Sequence, residues 1–314
     1  MSFSGEVKEE LSRQFQKSRH CRIAEIAAIL SFNGKLEEET ALRVYTENLA
    51  LARKYFMLMK KTFHADVKIA VRQSRYLHKS RIYVISLTKP EEVKTVLQAV
   101  KWQNEKGETI NRKELADGLL VQNGCCRRAF VRGAFLSAGS MSDPEKSYHF
   151  EIVCTTEEKA KQLMDIINSF DIDAKIVQRK KNYVVYVKEG SQIVDMLNIM
   201  EAHVALMNLE NVRILKEMRN SVNRQVNCET ANINKTVNAA VKQVQDIKYI
   251  QETIGLDSLP KNLQEIAAVR LKYPQAALKE LGTFLETPVG KSGVNHRLRK
   301  LCEIAEDIRE KAGE

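Results

Sequence analysis

One segment of this chain occurs twice, and the second copy keeps the order of parts found in the first. Each copy has a helix of small residues that ends at a glycine, residues 26–34 and 131–139, and later a basic strand. Five residues around the strands match at one constant spacing: Phe63, Asp66, Lys68, Ile69 and Arg72 correspond to Phe170, Asp173, Lys175, Ile176 and Arg179. Internal repeats reveal architecture, so the sequence predicts two pseudo-symmetric halves built from helices and strands.

Length and charge limit the class of protein. With 314 residues and 44% hydrophobic content, the chain is expected to form two domains, each with its own core. The net charge of +10 suggests a polyanionic partner, with a solvated basic surface as the alternative. The amino terminus lacks the apolar core of a signal peptide, and no stretch of roughly 18 apolar residues occurs. We therefore expect a cytoplasmic protein without a membrane partner.

The two small-residue helices are predicted to pack face to face at the centre of the fold. Gly133, Ala134 and Ala138 leave room for a partner backbone, and residues 26–30 of the first copy are almost all Ala, Ile and Leu. The alternative is that each helix is buried separately in its own core. That alternative explains the apolar character of the helices but not their pairing.

The strand of each copy is predicted to offer a basic face. In the first copy Lys68 and Arg72 alternate with apolar residues, as in a half-buried strand, and Lys175 and Arg179 hold the matching places in the second. A polar sheet surface usually carries mixed charge, so an all-cationic face in both halves favours contact with phosphates. These four side chains are the first group of candidate DNA contacts.

The last third of the chain is predicted to be helical throughout. We place the repeat domain at residues 1–218, with repeats at about 20–105 and 125–210, and a second domain at residues 222–314. The Asn-rich segment 220–238, which begins at this break, fits a boundary or hinge better than a core element. The fold class is therefore α+β: a pseudo-two-fold αβ repeat domain followed by an all-α domain.

Near the carboxy terminus, a helix at residues 276–285, a glycine-containing turn and a helix from Val294 form a helix-turn-helix pattern. Val294, Leu298, Leu301 and either Ile304 or Ala305 form the predicted buried stripe. The pattern alone is also compatible with any short helical hairpin, but the basic composition of residues 291–300 favours DNA. The second group of candidate DNA contacts comprises Lys291, Ser292, Asn295, His296, Arg297, Arg299 and Lys300.

The sequence predicts neither a metal nor a cofactor. The six cysteines form no CxxC pair and have no histidine at zinc-finger spacing. Most are expected to be buried, reduced thiols. The adjacent Cys125 and Cys126 are compatible with a redox switch, but a structural role is favoured because no resolving partner is suggested. The histidines, too, show no catalytic spacing, and no phosphate-binding glycine loop is present.

The paired small-residue helices resemble the LAGLIDADG homing-endonuclease fold in layout. Together with the helix-turn-helix pattern around residues 288–301 and the stretch 223–237, they make the whole chain resemble the WhiA family of bacterial sporulation and cell-division regulators. The resemblance implies a DNA-binding transcriptional regulator, tied also to cell division and chromosome segregation, on a nuclease scaffold that has lost its chemistry.

The sequence supports that loss. Cleavage by this fold uses an acid just before the final glycine of each motif, where it binds a metal ion. This chain has Asn33 and Ala138 at those positions, so we expect no enzyme activity. Five nearby acids are interpreted as solvated surface residues: Glu37, Glu38, Glu39, Asp143 and Glu145.

Three functions are compatible with these observations. The leading hypothesis is a regulator that recognises a DNA sequence, in which the carboxy-terminal domain reads bases and the repeat domain contacts phosphates or proteins. The alternatives are an active endonuclease that uses other acids, and a scaffold that binds transcription or cell-division proteins on the nucleoid. Because the repeat domain supplies its own two-fold symmetry, we expect a monomer on double-stranded DNA.

Overall fold

The computed structural model describes residues 2–37, 40–73, 81–110 and 114–312. It divides the chain into two compact units, Met1–Lys216 and Glu217–Glu314. The helices of the described residues are α1 (Phe3–Arg13), α2 (Arg19–Asn33), α3 (Leu49–Phe63), α4 (Pro90–Ala99), α5 (Gly124–Ala138), α6 (Glu157–Asn168), α7 (Gly190–Met200), α8 (His203–Thr253), α9 (Lys261–Lys272), α10 (Leu278–Thr283) and α11 (Lys291–Ala312). The strands are β1 (Gly34–Glu37), β2 (Ala41–Thr46), β3 (Lys68–Gln73), β4 (Arg81–Leu87), β5 (Gly139–Met141), β6 (Phe150–Cys154), β7 (Lys175–Arg179) and β8 (Asn182–Val187).

The first unit consists of two halves with the same topology. Each half runs helix, two strands, helix, two strands, helix, and its four strands form an antiparallel sheet. The strand order is β1-β2-β4-β3 in one sheet and β5-β6-β8-β7 in the other. The predicted α+β class and the two pseudo-symmetric halves are therefore confirmed.

Helices α2 and α5 pack against each other at the centre of this unit, as their small residues predict. Ala27, Ala28 and Ala134 are fully buried in the shared core. Gly133 sets the closest approach, because a Cβ atom there would lie 2.7 Å from the backbone oxygen of Glu25 on the other helix. Any larger residue at this position would push the two helices apart.

The edge strand β3 differs from the prediction of a half-buried strand. Every described residue of β3 is exposed, including Ile69 at 46% and Val71 at 58%. The reason is its place in the sheet: β3 pairs only with β4, and the helices of this half pack on β2 and β4 instead. Alternation of apolar and basic residues therefore predicted the strand correctly but not its burial.

The Asn-rich segment 220–238, predicted to be a boundary or hinge, is helical. It lies inside α8, whose 51 residues run without interruption from His203 to Thr253. Asparagine lowers helix stability only moderately, whereas proline or glycine would be needed to end the helix, and residues 203–253 contain neither. No helix among the described residues is both long and apolar enough to cross a membrane.

The second unit is helical and has its own core. Ile247 and Ile250 of α8, Ile266 of α9, and Leu281 of α10 pack with the buried residues of α11. Helix α11 begins at Lys291 and not at Val294 as predicted, so the last three residues assigned to the turn, 291–293, belong to the first turn of the helix. Helix α10 is likewise shorter than the predicted segment 276–285.

Candidate nucleic-acid interface

Helix α11 presents one buried stripe and one exposed face. Its stripe consists of Val294, Leu298, Leu301 and Ala305, all fully buried, which confirms the predicted core positions and selects Ala305 over the partly buried Ile304. The exposed side chains in its first three turns are Lys291, Ser292, Asn295, His296, Arg299 and Lys300. A helix anchored on one side and polar on the other can enter the major groove of DNA without unpacking the domain.

A close backbone contact positions α11 relative to α10. The N–H of Val289, in the turn, donates to the carbonyl of Gly282 in α10 at 3.2 Å. A Cβ atom on Gly282 would lie only 2.2 Å from the Val289 carbonyl oxygen, so glycine is required here. The turn that joins the two helices is therefore fixed by packing as well as by its length.

Helix α11 is also held to α8 by ion pairs near its carboxy-terminal end. Arg309 Nη2 lies 2.8 Å from Oδ1 of Asp246, a nearly buried carboxylate, and Lys242 Nζ lies 2.7 Å from Glu306 Oε1. Burial, together with the nearby Asp246, raises the pKa of the Cys302 thiol to about 12, so this cysteine is uncharged at neutral pH. These ion pairs lie at the carboxy-terminal end of α11, whereas the exposed cations in its first three turns, Lys291, Arg299 and Lys300, lie outside them.

The two predicted arginines near the middle of α11 have different surroundings. Arg297 is partly buried, and its Nη1 lies 3.8 Å from Oε2 of Glu265 on α9. Arg299 is 78% exposed and pairs with Glu303 one turn away, at 3.2 Å. Exposed pairs of this kind contribute little, so Arg299 can exchange Glu303 for a ligand. The geometry therefore favours Arg299 over Arg297 as a contact residue.

The outer face of the first sheet carries cations from three of its four strands, β1, β2 and β3. Register places Lys68 and Arg72 on the same face as Arg43 and Lys35, two cations that sequence reasoning did not predict. The face also holds Glu37, which accepts hydrogen bonds from Tyr45 at 2.6 Å and from Arg43. The Tyr45 hydrogen bond and the Arg43 guanidinium lower the pKa of Glu37 below its ordinary value.

The second sheet pairs its predicted cations with acids. Arg179 Nη1 lies 3.2 Å from Oε2 of Glu151, and Lys175 Nζ lies 3.2 Å from Oδ2 of Asp173. Burial would raise the pKa of Glu151, but hydrogen bonds from His149 and Ser140 and the charge of Arg179 lower it. The expectation of an all-cationic face in both halves is therefore wrong, because each face includes a glutamate that is bonded to an arginine.

The positions where the fold would need catalytic acids lie at the ends of the central helices. Asn33 is the last residue of α2, and its Nδ2 donates to the carbonyl of Tyr45 at 3.1 Å. Its Oδ1 is buried and has no hydrogen-bond partner among the described residues. Ala138 ends α5 and has no polar side chain.

The nearby acids are engaged elsewhere. Asp143 and Glu145 are exposed, and an Asp143 carboxylate oxygen accepts the N–H of Glu145 at 3.0 Å within a turn. Glu37 is bonded to Arg43 and Tyr45, whereas Glu38 and Glu39 lie outside the described residues. Within the described part of the chain, none of these acids belongs to a cluster of metal-ligating side chains.

A different group of potential ligands does come together. His20, Cys21, Cys125 and Cys126 place their ligand atoms within 4.8 Å of one another. The sequence did not predict this cluster because its two pairs are far apart along the chain and meet only through the packing of α2 on α5. Burial raises the pKa of the Cys21 thiol to about 12, with smaller contributions from the neighbouring thiols.

The geometry defines a class of protein: a pseudo-symmetric LAGLIDADG-like unit followed by a helix-turn-helix unit. Residues 19–101 match the WhiA N-terminal LAGLIDADG-like domain, residues 127–219 the WhiA LAGLIDADG-like domain, and residues 222–305 the WhiA C-terminal HTH domain. The chain therefore belongs to the WhiA family.

Similar proteins agree over nearly the whole length. The probable cell division protein WhiA of Lachnoclostridium phytofermentans is 58% identical over 99% of this chain and 100% of its own length. The protein of the same name from Alkaliphilus oremlandii is 49% identical over 99% of this chain and 98% of its own length. The crystal structure of full-length DUF199/WhiA from Thermatoga maritima is 26% identical, with a TM-score of 0.61 over 98% of this chain and 99% of that one.

Proposed function

We propose that this protein binds double-stranded DNA as a transcriptional regulator and recognises its sites through the amino-terminal half of α11. The observation that carries the proposal is the exposed row of Asn295, His296 and Arg299, which lies opposite a fully buried stripe on the second helix of a helix-turn-helix. Arginine pairs with the edge of guanine and asparagine with that of adenine in the major groove. Lys291 and Ser292, at the helix start, suit a phosphate, which is favoured by the free N–H groups and dipole there.

The repeat unit contributes affinity without sequence choice in this proposal. Lys68, Arg72, Lys175 and Arg179 lie on sheet faces, and flexible cations on a sheet reach phosphates more readily than base edges. Lys68 and Arg72 are the stronger candidates, since neither forms an ion pair with another described residue, unlike Lys175 and Arg179. With asparagine and alanine at the former acid positions, this unit acts as a binding scaffold and not as an enzyme.

The names of the relatives support a cellular role. Two of them are called probable cell division proteins, and a DNA-binding member of the family would act on the nucleoid in cell division and chromosome segregation, and in sporulation where spores form. The internal two-fold symmetry of the first unit lets a monomer engage DNA without a palindromic site.

The test is a selection of binding sites from a pool of random duplexes by the full-length protein at a fixed salt concentration. A regulator that reads bases enriches a single sequence motif, and genomic fragments that carry the motif should bind more tightly than matched fragments without it. If the protein retains duplexes from the pool but enriches no motif, binding is purely electrostatic and the proposal fails.

A second candidate function is the docking of a transcription or cell-division protein. Helix α8 exposes a row of apolar side chains, among them Met218, Val222 and Ile233, each at least 59% exposed. Exposed apolar rows on charged helices commonly mark protein interaction surfaces. Cross-linking capture by the wild type, but not by a Met218→Glu, Val222→Glu variant that still binds DNA, would favour this function.

A further inference from the structure

Two pairs of side chains meet where the central helices begin. His20 and Cys21 are the second and third residues of α2, and Cys125 and Cys126 are the second and third residues of α5. His20 Nδ1 lies 3.1 Å from Cys126 Sγ and 3.4 Å from Cys21 Sγ. The four ligand atoms thus bridge the two pseudo-symmetric halves of the first unit.

The cluster has an apolar floor and an open side. Cys21 and Cys126 are 2% and 3% exposed and pack with Ala24 and Ala129, both fully buried. His20 and Cys125 are exposed, so an ion could enter from solvent and leave the protein core undisturbed. A site with two buried and two accessible ligands needs no unfolding to load.

We propose that His20, Cys21, Cys125 and Cys126 bind one Zn²⁺ ion in a tetrahedral Cys3His site that joins α2 to α5. Zinc–sulfur bonds of about 2.3 Å and zinc–nitrogen bonds of about 2.0 Å place the ligand atoms of a tetrahedron roughly 3.5 to 3.8 Å apart. The atoms already lie within 4.8 Å of one another, and the His20 distances are a few tenths of an ångström shorter than this range. Small rotations of four side chains would complete the site.

The donor set selects the metal. Three thiolates and one imidazole in a tetrahedron suit zinc, whereas magnesium and calcium require oxygen ligands, which this cluster lacks. Binding would release three thiol protons to solvent and leave one net negative charge. That charge lies at the amino-terminal ends of two helices, where the helix dipoles stabilise it.

The site would act as a clamp and not as a catalyst. It adds a cross-link between helices whose first residues are about a hundred positions apart, and a fourth protein ligand leaves no open position for water. Thiols this close could instead form a disulfide between Cys21 and Cys126. Cys21 is then the resolving partner of Cys126, which the sequence alone did not suggest. Metal content and thiol state distinguish the two.

The experiment measures zinc in full-length protein purified in reducing buffer, with elemental analysis of the wild type and of Cys126→Ser, Cys21→Ser and Cys228→Ser. Cys228, on the exposed surface of α8, is the matched control. One zinc per chain is expected in the wild type and in Cys228→Ser, with loss of the metal in the other two. Cobalt substitution should give the intense visible bands of a tetrahedral thiolate site in the wild type and in Cys228→Ser, but not in Cys126→Ser or Cys21→Ser.

Two further measurements keep the proposal testable if the buried variants fail to fold. Exposed Cys125→Ser should fold and lose most of the metal, and a strong chelator should lower the Tm of the wild type but not that of Cys125→Ser. Wild-type protein without stoichiometric zinc, a cobalt spectrum unchanged by Cys125→Ser, or a Cys21–Cys126 disulfide mapped under non-reducing conditions in place of metal would overturn the assignment.

Discussion

The carboxylate of Glu25 on α2 accepts a hydrogen bond from Nε of Arg132 on α5 at 3.1 Å, inside the central helix pair. The same oxygen lies 3.1 Å from Nζ of Lys54. Nη1 of Arg132 lies 2.9 Å from Oε2 of Glu201. Glu25, Lys54 and Arg132 are essentially inaccessible to solvent. The two halves are therefore joined by a network of two cations and two anions, in which only Glu201 is partly exposed, at the point where their backbones come closest.

Replacement of Glu25 should strongly destabilise the first unit. Glu25→Ala leaves Lys54 and Arg132 with one fewer partner in a dry interior, and breaking a buried pair on one side costs about 3 to 5 kcal/mol. Urea unfolding should show this loss. Glu9→Ala, which removes exposed pairs with Arg13 and Arg53, is the control and should cost about 1 kcal/mol or less. Equal losses of unfolding free energy in the two variants would show that the buried network stabilises the fold no more than an exposed ion pair does.

Lys8 should make stability depend on pH in the alkaline range. Burial lowers the pKa of Lys8 from 10.5 to about 8, although its Nζ lies 5.6 Å above the Phe135 ring. Between these two values the unfolded chain holds a proton that the folded chain has lost, so stability rises with pH there. Below pH 8 the partly buried charge destabilises the fold in full.

Lys8→Met removes that cost. We expect this variant to be more stable than the wild type by about 1 to 3 kcal/mol at pH 7, with the difference shrinking towards pH 10.5. Denaturant titrations of both proteins at pH 7 and pH 10 provide the measurement. A difference that does not vary with pH would mean that Lys8 keeps its ordinary pKa.

The two sheets should differ in how much they contribute to DNA affinity. Lys68→Ala, Arg72→Ala should weaken binding to every duplex and flatten the salt dependence by about one to two counterions. Lys175→Ala, Arg179→Ala should have a smaller effect, because Asp173 and Glu151 already neutralise those side chains. The measurement is binding affinity against salt concentration for both double variants. Unchanged slopes in both would favour protein interaction as the role of this face.

The protein should not cleave DNA. Incubation of supercoiled plasmid with the wild type in magnesium or manganese should leave it intact, since Asn33 and Ala138 supply no carboxylate for a metal at the scissile phosphate. Asn33→Asp, Ala138→Asp need not restore cleavage, because a catalytic acid also needs neighbouring residues that hold it in position. Nicking that a chelator stops and that Asp143→Ala or Glu145→Ala abolishes would show an active nuclease.

Local patterns predicted what depends on neighbours in sequence. The repeat, the Gly133 contact and the buried stripe from Val294 to Leu301 all follow from spacing along one helix or strand. The ion network of Glu25 and the cluster around Cys21 depend on which residues two helices bring together, and no spacing rule gives that. The composition of the sheet face depends on strand register. Arg43 and Arg72 share a face because β2 and β3 both pair with β4 in registers that align these residues.

The charge of a residue in the sequence likewise did not predict whether its side chain is free to contact a ligand. Arg297 and Arg299 are equivalent in the sequence as basic residues of one helix. The structure separates them, because Arg297 turns towards Glu265 of α9 and Arg299 towards solvent. The continuity of α8 through its Asn-rich segment was missed for a related reason. Composition suggested a boundary, whereas helix ends depend on proline, glycine and capping residues.

The most direct test of base reading by α11 is a titration of full-length protein against its selected duplex and a scrambled duplex at one salt concentration. Arg299→Ala should cost about 1 to 3 kcal/mol on the selected site and relax the preference at one base position. Lys291→Ala should weaken both duplexes alike. With folding verified by circular dichroism, Asn295→Ala, His296→Ala, Arg299→Ala should bind the two duplexes equally. A folded triple variant that keeps the wild-type preference for its site would contradict the account.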